Sequence, residues 1–83
     1  MKDIRILVLQ RGWLSVGEYS CDGEHITLKN SSTIRKWGTT RGLGQIANDG
    51  PTKDTVLDFD GETIVHVLSV IKQIKCDPDK WKI

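Results

Sequence analysis

Short β-branched runs punctuated by Asp-Gly pairs limit what this chain can fold into. Asp22-Gly23 and Asp60-Gly61 each interrupt an alternating apolar pattern. Such a pair favours the positive φ angles of a tight β-hairpin. Residues 4–9, Ile-Arg-Ile-Leu-Val-Leu, form a run suited to a strand covered on both faces, and Arg11-Gly12 ends it. Residues 13–21 and 25–29 follow as the arms of the first predicted hairpin, with Ile26 and Leu28 inward. Gly17 falls mid-strand, the position of a bulge or a sharp coil of the sheet. Residues 55–59 lead into the second predicted hairpin. Residues 63–68 and 70–76 complete the pattern, with Ser69 as a kink within what can be one long bent strand.

Between these strands lies a segment of different character. Residues 30–54 are polar, glycine-rich and basic. Thr39 or Thr40 is placed to cap a helix of one to two turns that puts Leu43, Ile46 and Ala47 on one face. Gly50 and Pro51 end it. Trp81, after the turn-forming 77–80, is placed to pack back on the sheet. The expected fold is mainly β: a small curved antiparallel sheet or an SH3-like barrel with one short helical insertion. Residues 1–83 read as a single small β-rich domain.

Composition narrows the function classes. Twelve Lys and Arg stand against eleven Asp and Glu, so the chain is near neutral and nucleic acid is a less favoured partner. The apolar run near the N-terminus is too short for a membrane span and reads as a strand rather than a signal peptide. Cys21 and Cys76 belong to no CxxC or Cys/His cluster and read as buried, reduced thiols of a cytosolic protein. A disulfide joining the second and last strands is the competing reading. His25 and His66 lack metal-ligand spacing, so no metal or other cofactor is expected. His66, within an apolar strand, reads as a satisfied half-buried residue.

No catalytic arrangement stands out, and an enzyme is not expected: there is no GxSxG elbow. Residues 58–62 resemble the start of a calcium loop, but Ser69 occupies the twelfth position, where a bidentate Glu is needed.

The positive charge is unevenly placed. From Lys29 to Lys53, five cations face Asp49 alone, a local charge of +4 in a chain of net +1. The candidate ligand-binding residues are Arg35, Lys36, Trp37, Thr39, Thr40, Arg41, Gly42, Gln45 and Lys53. Glycine-rich backbone at a helix start offers free N–H groups to an anion, Arg can grip phosphate in a fork, and Trp37 offers a flat face to a base. The Gly-x-Gly spacing is neither a Walker A nor a dinucleotide fingerprint. Glycines serving turns and a tryptophan serving the core account for the same letters without a ligand.

Residues 34–47, Ile-Arg-Lys-Trp-Gly-Thr-Thr-Arg-Gly-Leu-Gly-Gln-Ile-Ala, followed by 50–58, Gly-Pro-Thr-Lys-Asp-Thr-Val-Leu-Asp, carry a resemblance. With Ile74, Cys76 and Trp81 they resemble a family of small proteins encoded by bacteriophages and prophages, over most of the chain. That family's motifs carry no established activity, so the resemblance implies an origin more than a function. It favours an accessory role against a host process such as defence: an inhibitor, a sponge for nucleotide signals, or an adaptor. The expected partner is an anionic, nucleotide-like small molecule or a host protein. A homo-oligomer is also expected, because a core this small contributes only about 3–5 kcal/mol, and the strand at residues 4–10 is the expected exposed edge.

Overall fold

The computed structural model describes residues 2–36, 42–81 and 83. Five strands, β1 (Ile4–Leu9), β2 (Leu14–Asp22), β3 (His25–Lys36), β4 (Val56–His66) and β5 (Val70–Lys75), form one antiparallel sheet in the order β4-β3-β2-β1-β5. Among the described residues, one α-helix, α1 (Leu43–Asp49), lies between β3 and β4. Short 3₁₀ turns, Gln10–Gly12 and Val67–Ser69, join β1 to β2 and β4 to β5. The sheet is curved and does not close. Of the two expected architectures, the curved antiparallel sheet with a short helical insertion is the one observed.

β1 is covered on both faces, as its unbroken apolar run requires. Ile4, Ile6 and Val8 join one core with Leu14, Val16, Ile34, Leu57, Ile74 and the helix residues Leu43, Ile46 and Ala47. Leu7 and Leu9 join a second core with Tyr19, Ile26, Leu28, Val65, Val67 and Val70. Alternation along β1 alone sends successive side chains to opposite faces. The other strands need a further device, because Ile26, Leu28 and Ile34 share one parity yet belong to different cores.

That device is a bulge. Val16 pairs with Ser32, but Glu18 pairs with Lys29, so Asn30 and Ser31 together oppose Gly17. The extra residue flips β3 from one face to the other. Asn30 takes a positive φ of 50° there, which Asn tolerates better than most residues. Gly17 has no room for a side chain: a Cβ would sit 3.0 Å from the Cβ atoms of both Leu28 and Ser31. β4 carries a matching extra residue, Asp60, beside Gly61 at φ 92°, and so recovers its register on β3. Buried Ser31 satisfies the junction, with Oγ donating to the Gly61 carbonyl at 3.1 Å and lying 2.7 Å from Thr63 Oγ1. Asp60-Gly61 is therefore a bulge within a single strand, not a second hairpin. A glycine at positive φ serves both structures, and the difference lies in the partner strand.

Four further expectations are corrected. The first hairpin closes through Gly23-Glu24, because Asp22 pairs with His25. Only Gly23 of the two loop residues has positive φ, the pattern of a II′ rather than a I′ turn. Residues 63–68 and 70–76 are not one bent strand, since β4 and β5 lie at opposite edges of the sheet. For the same reason β1 is not an edge: β2 and β5 flank it. Cys21 is exposed rather than buried. β1 begins opposite Glu18, so the tip of β2 projects beyond it and Ser20, Cys21 and Asp22 are all exposed.

The helix is held from its C-terminal end. Gly50 caps it at φ 86°, donating its N–H to the Ile46 carbonyl at 2.8 Å. The Asp77 N–H donates to the Ala47 carbonyl at 2.8 Å. Buried Trp81 donates its Nε1–H to the Ile46 carbonyl at 3.1 Å, with Ala47 at 3.4 Å. The chain after β5 thus packs over α1 and satisfies carbonyls that a helix end leaves open. A side chain at position 50 would meet the Lys80 carbonyl at 2.6 Å.

Gly17→Ala should lower the urea midpoint, at a cost of about 1–3 kcal/mol for forced overpacking. Gly44→Ala, in α1 with nothing within 4 Å of the new Cβ, should raise the midpoint through a stability gain of about 0.5–1 kcal/mol. The free thiols should also separate. Exposed Cys21 should react with a maleimide at once in the native protein, and buried Cys76 only on unfolding. Burial pushes the Cys76 thiol up to about 12 from 9.0. The unfolded thiol therefore ionises first, and stability should fall as pH rises through that window. The fall should be shallower in Cys76→Ala.

Candidate functional site

Only part of the sequence-expected site is described. Trp37, Thr39, Thr40 and Arg41 lie outside the described residues. The remaining members lie on three different parts of the chain: the end of β3, α1 with the residue before it, and the turn after the helix. Arg35 and Lys36 end β3, and both are exposed. Gly42 is the residue before α1, at φ 83° and ψ −163°, and makes no side-chain cap. The helix therefore starts from glycine rather than from Thr39 or Thr40, and it is only seven residues long. Gln45 is half-buried on α1, with its Oε1 buried and without a hydrogen-bond partner among the described residues. That acceptor calls for a donor, not an anion. Lys53 is exposed in the turn after the helix, where the Thr55 N–H donates to the Thr52 carbonyl at 3.1 Å. Thr52 and Thr55 bring their hydroxyls to 2.9 Å. The Gly-Pro-Thr-Lys-Asp-Thr motif is accounted for as a helix exit followed by this turn.

Arg35 is brought into a different constellation. The β3–β4 register slips between Ile34 and Lys36, leaving Arg35 as the extra residue. A bulge at a strand end re-aims its side chain. Arg35 Nε lies 3.1 Å from Asp58 Oδ2 on β4. Together they line a groove of 330 Å³ with Arg11, Gly12, Trp13, Leu14, Thr33 and Ile34. Among the described residues, Arg35 is the sole member of the expected site in this groove.

Part of the groove's lining comes from the β1–β2 connection. Arg11 and Gly12 both adopt positive φ, 67° and 81°. Gly12 does so freely, whereas a left-handed Arg costs about 1–2 kcal/mol. The turn is pinned by the Leu9 N–H donating to the Trp13 carbonyl at 2.8 Å. It leaves Trp13 62% exposed. Two guanidinium groups and one exposed indole thus share a groove with one carboxylate. Sequence reasoning missed Arg11 and Trp13 because it read them as a strand break and a strand start. The readable signal was a cation and an aromatic flanking a glycine at a turn.

A larger cavity, 540 Å³, lies between Val16, Leu57, Phe59, Trp81 and Ile83. Its charged lining is Asp49 and Lys80. One of each sign gives no preference for an anion.

His66 has a structural task. Its Nδ1 accepts from the Leu68 N–H at 3.1 Å, capping the turn before β5, and its Nε2 lies 3.5 Å from Glu24. His25 meets it edge to face at 5.5 Å. No group of three or more His, Cys, Asp or Glu among the described residues is arranged to hold a metal. No helix among them is long and apolar enough to cross a membrane.

Compared with known proteins, the chain matches no family model and no curated protein.

Proposed function

We propose that this protein is a non-catalytic binding module for an anionic, nucleotide-like ligand, held in the groove between the β1–β2 turn and the end of β3. The observation that supports this most directly is the shared groove of Arg11, Trp13 and Arg35. Guanidinium forks suit phosphate oxygens, and an exposed indole gives a base a stacking surface of about 1–3 kcal/mol.

Asp58 is the natural objection, because it already pairs with Arg35. Both side chains are well exposed, at 68% and 49%. A surface pair of this kind is worth only about 0.2–1 kcal/mol. A phosphate carrying more charge than one carboxylate can displace it. The strained Arg11 fits the same reading: left-handed arginine is retained where the side chain is needed rather than where the turn is most stable. The resemblance to phage and prophage proteins suits a module that captures a host nucleotide signal, with defence as the affected process and the host cytoplasm as its place of action.

Thermal unfolding with a panel of nucleoside mono-, di- and triphosphates and cyclic dinucleotides tests the reading. A ligand at 100 times its Kd should stabilise by about 2.7 kcal/mol, a shift of roughly 10 °C or more for a domain of this size. Arg11→Asn should match or exceed the parent in stability, since Asn tolerates the left-handed turn. It should bind at least about tenfold more weakly through loss of one charged contact. Trp13→Ala should weaken binding with little change in stability. A panel that produces no shift at millimolar concentration rejects the anion site.

A further inference from the structure

The two free edges of the sheet carry opposite charge. β4 holds Asp58, Asp60 and Glu62 and no Lys or Arg. β5 holds Lys72 and Lys75 and no Asp or Glu. Both strands lie at the edges of the sheet, with one side of each unpaired among the described residues. The exposed large apolar side chains gather in the same places. Phe59 and Ile64 are on β4, Leu68 is in the turn between the edges, and Ile71 is on β5, exposed by 60–78%. Trp13 is the other large exposed apolar residue among those described. Ile71 is also the extra residue where the β1–β5 register slips between Val8 and Leu9.

We propose that the acidic β4 edge of one copy docks on the basic β5 edge of a second copy. An unpaired edge supplies backbone donors and acceptors ready for a ladder, and only the partner's side chains decide what may pair. Self-pairing of β4 would set three carboxylates against three, and self-pairing of β5 would set lysines against lysines. Like charges facing each other across strands are destabilising, and opposite charges are favourable. The charges therefore select the heterologous pairing over both two-fold pairings. Each copy then keeps one free edge of each sign, so association continues into a ring or an open chain rather than stopping at two. The six residues of β5 set the length of the ladder. This interaction does not use Arg11, Trp13 or Arg35. Asp58 borders both the groove and the β4 edge, so the edge is tested at Asp60, Glu62 and the lysines instead.

Sedimentation velocity tests it. At low salt the average mass should rise with concentration above the 9.3 kDa of the chain, and added salt should lower it as the charges are screened. Lys72→Glu with Lys75→Glu makes both edges acidic. Asp60→Lys with Glu62→Lys makes β4 basic like β5. Each double variant alone should associate at least about tenfold more weakly, and mixing the two should restore assembly. Asp60 accepts a hydrogen bond from Thr33, so circular dichroism should confirm folding. If Asp60→Lys unfolds, Phe59→Lys with Glu62→Lys and Ile64→Lys replaces it, because these exposed positions make β4 net positive beside Asp58 and Asp60. A mass that stays at one chain in the parent, or a dimer indifferent to salt and to both edge reversals, overturns the proposal.

Discussion

One extra residue in β3 organises the whole molecule. Asn30 and Ser31 oppose Gly17, and from that point the strand presents its even-numbered side chains to the opposite face. Five short strands cannot bury much apolar surface on one side alone. The flip lets Ile26 and Leu28 serve one core while Ile34 serves the other, and Asp60 repeats the operation in β4 so that pairing is recovered. The arrangement demands a missing side chain at Gly17, a tolerated left-handed residue at Asn30, and a buried hydroxyl at Ser31 to satisfy the displaced backbone.

The rest of the fold answers to the two faces so created. One is covered by α1, which is too short to stand alone and is fastened by the Trp81 indole and by the Asp77 N–H. The other is covered by the curvature of the sheet, with Val67 and Val70 arriving from the final turn and strand. What the two cores leave over is the end where the β1–β2 turn meets the end of β3, and the two edges. The groove at the sheet end gathers charge and an aromatic, whereas the edges gather apolar side chains bordered by charges of opposite sign.

Much of this was legible locally. The run of residues 4–9 announced a strand covered on both faces, Gly17 announced a bulge, and Gly50 announced a helix end. Each of those features depends on a few neighbouring residues. What failed depends on partners distant in sequence. Asp60-Gly61 has the letters of a hairpin, and only the extra residue in β3 makes it a bulge. β1 looked like an edge because nothing in its own residues shows that β5 returns beside it. Cys21 alternates correctly for burial, yet β1 stops short of it. The candidate site divided in the same way. The charge asymmetry pointed to Arg35, but Arg11 and Trp13 reach it only through the folding of the first turn against the end of β3. Thr39 and Thr40 were expected to cap the helix, and Gly42 holds that position.

The central claim is the change of register at Asn30, and cross-strand proton contacts measured by nuclear magnetic resonance test it directly. Backbone contacts should connect Val16 with Ser32 and Glu18 with Lys29, with Asn30 and Ser31 both facing Gly17. An unbroken ladder that carries the Val16–Ser32 register onward, placing Glu18 opposite Asn30, would contradict the account. It would return Ile26, Leu28 and Ile34 to a single face.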